Sequence, residues 1–173
     1  MPAGVPVTIT SPVSRVITSL SREIKVATSK INWSVLDDCT VTPFRRVVSL
    51  LYSERLSQNP DVRFVINHSG AAIPTLAGRI RDELRGPDAK QVAPQGAFYE
   101  LRKLYFECAH ATFPMPIAAA RSFAPTSQLL FGTDFPIWPY ETTVSLIPDL
   151  KLPADVQMAL DRGNAERLFP KYA

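Results

Sequence analysis

Histidine, cysteine and long apolar runs are all scarce in this chain, and each shortage closes off a class of function. The two cysteines, Cys39 and Cys108, are far apart and lack Cys-x-x-Cys or Cys/His ligand spacing. That excludes a disulfide framework and a zinc finger and suits a reducing compartment. No apolar run approaches the length of a bilayer span, and residues 1–10 have no cationic stretch followed by a long apolar one. A cytoplasmic protein without membrane contact is expected. The 19 basic and 16 acidic residues leave a net charge of +3, dispersed and without aromatic interleaving, so nucleic acid is not an expected partner. Histidine occurs only at His68 and His110. A catalytic zinc typically takes three protein ligands.

What is present is globular: 173 residues, 46% hydrophobic and 20% charged, enough for one domain with a sizeable core. Residues 5–10 are β-branched enough for a strand, with Pro6 suited to an edge, and Val16, Ile17 and Leu20 could line a short helix. Thr42 as N-cap and Pro43 at the first helical position predict a helix over 43–57, with Val47, Val48, Leu50, Leu51 and Leu56 as its apolar face. Residues 62–67 predict a strand buried mostly on both sides, ending in His68-Ser69-Gly70. Pro74 starts a helix over 75–84, Gly86-Pro87 stops it, and polar loop follows to Gln95. One helical turn at 98–102 precedes a strand at 104–109 that ends in His110, and a helix at 116–123 leads to a strand at 128–131. After Asp134 the proline-rich stretch gives way to a helix or turn at 141–147. Further helices follow at 154–162, stopped by Gly163, and from Asn164 as cap to about Phe169. Alternating strands and helices argue for an α/β fold of parallel units joined by right-handed crossovers.

The stretch Leu129-Leu130-Phe131-Gly132-Thr133-Asp134-Phe135-Pro136 organises the functional reading. A buried strand ends at a glycine where the backbone can turn sharply, and a carboxylate follows. Asp134 therefore either bonds turn amides or stands where α/β enzymes keep their chemistry. Three successive strands end in His68, His110 and Asp134, which a parallel sheet brings to one edge. Imidazole and carboxylate there can act as general base, ligate a divalent metal or hold a metal-bound water. For His110 the ordinary reading is half-exposed polar surface. Arg45, Arg46 and Arg79 could fork onto a substrate carboxylate, though such residues more often stay solvated. Cys108 reads as packing, and Trp138 and Tyr140 as a wall for a flat substrate or as rim packing.

Four segments in order, 61–70 with Ile73-Pro74 and Arg79-Ile80, 104–109, 131–136 and 163–169, together resemble the metal-dependent amidohydrolase-related decarboxylases. That group includes aminocarboxymuconate-semialdehyde decarboxylase and 6-methylsalicylate decarboxylase. The resemblance implies a (β/α)8 barrel, a divalent metal such as zinc or manganese, and non-oxidative loss of carbon dioxide from an aromatic or conjugated carboxylic acid. It further implies Asp134 as metal ligand and proton-transfer group, with His68 beside it as the second catalytic residue. The family's His-x-His pair is absent, and Thr10 or Ser11 stands where a later histidine ligand would fall. A whole barrel of this kind needs about 250 residues. The chain is thus expected to be a single incomplete barrel domain over 1–173, family-like from 41 to 170, comprising about the last four strands with their helices. Open sheet edges make a homodimer an expectation. Two functions follow: a carboxy-lyase, or a catalytically inactive half-barrel that binds a partner or dimerises.

Overall fold

The apolar runs at 64–66, 104–108 and 129–130 meet in a parallel sheet. In this computed structural model the backbone is described for residues 35–172 and the side chains for residues 41–171. These fall within one compact unit, Ser34–Ala173. The readings at 5–10, at Val16, Ile17 and Leu20, and at Thr10 and Ser11 lie outside the described residues, as does the Cys39 side chain.

The strands are β1 (Val65–Ile66), β2 (Tyr105–Glu107) and β3 (Leu129–Leu130), in the order β1-β2-β3. Val65 pairs with Tyr105 and Ile66 with Phe106, while Phe106 pairs with Leu129 and Glu107 with Leu130, all in parallel. Parallel neighbours require crossovers, and helices supply them: α3 (Ile73–Glu83), α4 (Ala89–Val92) and α5 (Ala97–Leu101) join β1 to β2, and α6 (Pro114–Phe123) joins β2 to β3. The α/β order read from the sequence therefore holds, with three strands among the described residues.

The core lies where these crossovers meet the sheet. Val47, Leu51, Ile73, Leu101, Leu104, Phe106, Leu129 and Leu160 are almost fully buried, each contributing about 1.5–3 kcal/mol of burial energy. Phe123 on α6 stands edge-on to Phe98 at 6.1 Å and to Phe106 at 6.3 Å between ring centroids. Beside them Glu100, 2% exposed, is paired with Lys103.

Several expectations need correction. The first helix does not start at Pro43: α1 runs Val35–Tyr52 with Pro43 inside it, and Glu54 at φ 63° separates it from the short α2 (Arg55–Gln58). Pro43 is buried, so packing outweighs the backbone bond its ring removes. The 62–67 segment is not buried on both sides, since Val62 is 50% and Val65 40% exposed at the sheet edge. Residues 86–95 are not wholly loop, because α4 lies within them and buries Val92, with Ala93 buried just after it.

Gly163 does not stop a helix either. Helix α7 (Tyr140–Leu146) is followed by α8 (Ala154–Met158), which passes through a wide π-type turn, Ala159–Gly163, into α9 (Asn164–Leu168). Gly163 is helical at φ −60° and ψ −31°. Asn164 is no cap: its buried amide donates to Thr126 O and Leu129 O, both at 2.7 Å. It ties α9 to the entrance of β3.

Candidate active site

A parallel sheet presents all its carboxyl ends together, and here each strand exit turns sharply. His68, His110 and Asp134 all have positive φ, at 55°, 55° and 63°, as do Ser69 at 53° and Ala71 at 49°. Left-handed conformations are uncommon outside glycine, cost about 1–3 kcal/mol each and gather at functional sites. At the β1 exit, Gly70 at φ +81° lets the turn pass the Phe106 ring, where a Cβ would come within 2.5 Å of Cδ1.

His68 is 9% exposed, and its Nδ1 lies 2.7 Å from Ala109 O. A carbonyl only accepts, so Nδ1 carries the hydrogen and Nε2 remains the free ring nitrogen. The His68 and His110 ring centroids are 5.5 Å apart, edge to face, and His110 Nε2 lies 3.4 Å from Asp134 Oδ2. The turn after Asp134 closes through its carbonyl, which accepts Ile137 N–H at 2.9 Å and Trp138 N–H at 3.1 Å. Thr133 Oγ1 accepts Phe135 N–H at 3.3 Å. The Asp134 carboxylate is thereby left to face His110, and reading it as a mere binder of turn amides fails. The Phe135–Pro136 peptide is cis.

Glu107 is the site residue that sequence reasoning missed. It ends β2, and its carboxylate accepts the Ala109 N–H. Burial pushes its carboxyl from 4.5 up to about 7; the bond from the Ala109 backbone opposes this, the Asp134 charge adds to it, and a bond from the His68 backbone opposes it again. The available signal was a β-disfavoured acid inside an otherwise apolar and aromatic strand.

The other candidates divide. Trp138 stands 4.9 Å from the His110 ring and, with His110, Thr112, Phe113 and Thr143, lines a cavity of about 110 Å³. Tyr140 packs instead against Phe135, at 6.4 Å between rings. Arg45, Arg46 and Arg79 are exposed positions on α1 and α3, outside this cluster. Cys108 is 1% exposed and burial pushes its thiol up, as suits packing rather than nucleophilic attack. A cavity of about 350 Å³ opens beside Val62, Phe64, Leu104 and Gln128, at the amino ends of the strands and away from the titratable cluster.

The donors present do not by themselves fit a divalent metal. Among the described residues no group of three or more His, Cys, Asp and Glu is placed to hold one, and the chain has only two histidines. Also among the described residues, no helix is long and apolar enough to cross a membrane.

Comparison with known proteins sets this edge in context. The decarboxylase yanB of Aspergillus niger is 29% identical over 135 residues, 74% of this chain and 37% of that protein. The 6-methylsalicylic acid decarboxylase of Penicillium expansum is 28% identical over 131 residues, 73% of this chain and 40% of its own length. This chain thus spans about two fifths of the curated relatives it matches. Among solved structures, a dihydroxybenzoic acid decarboxylase from Polaromonas with bound manganese and the inhibitor 2-nitroresorcinol superposes with a TM-score of 0.66. It is 17% identical, over 75% of this chain and 40% of that one, a likeness of fold. The amidohydrolase family profile matches residues 2–171, and the chain belongs to that family.

Proposed function

We propose that this chain is the C-terminal part of an amidohydrolase-type carboxy-lyase that removes carbon dioxide non-oxidatively from an aromatic or conjugated carboxylic acid. The observation that carries the reading is the convergence of His68, His110 and Asp134 at one sheet edge, all three in left-handed backbone conformations. Its sheet forms part of a (β/α)8 barrel, about the last four strands, within one incomplete domain. In the reaction the ring–carboxylate C–C bond breaks, its electron pair stays on the ring carbon, and a proton must reach that carbon. Asp134 delivers the proton, with His110 beside it to resupply it, and His68 Nε2 offers its lone pair to a hydroxyl of the substrate. Trp138 and Phe113 form an apolar wall suited to a flat ring. The zinc or manganese expected for the family would need donors beyond these residues, supplied by a second chain or by the rest of the fold, and the proton steps above do not pass through it.

The test is carbon dioxide release from 2,6-dihydroxybenzoate and 6-methylsalicylate by the full chain, with zinc or manganese supplied. The same assay on Asp134→Asn and His68→Asn follows. Any release is expected to be abolished by both substitutions; release unchanged by Asp134→Asn overturns the assignment. The shortage of metal donors favours one second reading, a non-catalytic half-barrel. Its signature is calorimetric binding of the same acids without turnover.

A further inference from the structure

Gly132 is not among the glycines with positive φ, so a left-handed turn does not explain its lack of a side chain. The explanation is Glu107: a Cβ at position 132 would fall 2.5 Å from Glu107 Cδ. The strand exit carrying Asp134 has been left bare so that the Glu107 carboxylate can lie across it. From there the carboxylate accepts the Ala109 N–H, and the carbonyl of the same residue accepts the His68 Nδ1–H at 2.7 Å. Ala109 itself is 1% exposed. One carboxylate therefore bridges two strand exits, β3 at Gly132 and β2 at Ala109, and Ala109 in turn is bonded to the third through His68.

We propose that Glu107 is the positioning residue of this site, holding Ala109 by its backbone N–H so that the carbonyl of the same residue, in the next peptide unit, fixes His68 as the Nδ1–H tautomer and aims Nε2 at the reacting atoms. It touches no substrate itself. A half-buried acid in a strand is unfavourable unless its oxygens are used, and these are used on backbone that orients a histidine. Gly132 and Glu107 act as one unit: adding a methyl group at the first displaces the second. The use made of Nε2 rests on the carboxy-lyase reading, whereas the tautomer lock stands without it.

The experiment is side-chain ¹⁵N NMR of the full chain at about pH 8, above the ordinary histidine range, with His110→Asn assigning the two imidazoles. Wild type and Glu107→Gln, which keeps an acceptor at the same reach, are expected to show His68 wholly as the Nδ1–H tautomer with a slowly exchanging proton. Glu107→Asp, one methylene short, and Gly132→Ala are expected to lose that protection and populate the Nε2–H form. Should one of these fail to fold, the other decides. A folded Glu107→Asp or Gly132→Ala that keeps the tautomer and its protected proton overturns the proposal. Where carbon dioxide release is measurable, Glu107→Asp lowers kcat at least about tenfold while KM holds. An intact tautomer lock in a chain that releases no carbon dioxide would sink the functional reading and leave the positioning role standing.

Discussion

The raised Glu107 carboxyl makes a stability prediction that needs no substrate. Its unfolded value is 4.5 and its folded value about 7, so between those pH values the folded state binds more protons than the unfolded one. Below about 4.5 both states are protonated and the group imposes no penalty. Stability then falls as pH rises through the folded value, and the full penalty is present above it. At about 1.4 kcal/mol per pH unit the span is worth about 3 kcal/mol. For a chain of this size that corresponds to roughly 6–12 °C in Tm. Urea denaturation of wild type and Glu107→Gln at matched pH values from about 4.5 to 8 isolates this group, because every other ionisable residue is common to both. The difference in unfolding free energy should grow in favour of the glutamine variant as pH rises. A difference that is flat, or that shrinks with pH, would mean the Glu107 carboxylate is held as comfortably in the fold as in water, and the electrostatic account of the site would be wrong.

Other outcomes follow from the packing and the donor set. Asn164→Ala leaves the Thr126 and Leu129 carbonyls without their side-chain donor and should destabilise by about 2–4 kcal/mol, read by chemical denaturation. Gly70→Ala combines φ +81° with a contact of 2.5 Å to the Phe106 ring; a loss of about 2–4 kcal/mol is expected, and an unchanged Tm would contradict the close approach. Equilibrium dialysis of the chain alone against zinc or manganese should give well under one ion per chain, since no group of three donors gathers among the described residues. Stoichiometric binding lost on Asp134→Ala would refute that.

Much of the architecture was legible because parallel strands advertise themselves as short apolar runs between turn residues. The approach of His68, His110 and Asp134 followed from strand order alone, since successive parallel strands must end on the same side. What stayed hidden was what depends on distance. Gly132 read as a sharp turn, and its true reason, a carboxylate from the neighbouring strand, has no local trace. Asn164 read as a cap, because a cap and a bond to a carbonyl 35 residues away call for the same side chain. His110 read as surface, and it is half-exposed; only the fold reveals that its exposed edge meets Asp134. Pro43 read as a start because the rule for proline is local, while the burial that overrides it comes from the rest of the domain.

The wide turn at Ala159–Gly163 has a consequence for how this segment can vary in length. A π-type turn accommodates one extra residue within a helix and so preserves the rotational phase of everything after it. Deleting one residue within the turn would tighten it to ordinary α geometry and leave Asn164 at nearly the same phase, whereas an insertion the turn could not absorb would swing it by about 100° around the helix axis, away from the carbonyls it now meets. Surface loops absorb insertions and deletions readily. Between Pro153 and Leu168 the chain can therefore lose one residue at the wide turn, while Asn164 holds the rest of the segment to its phase.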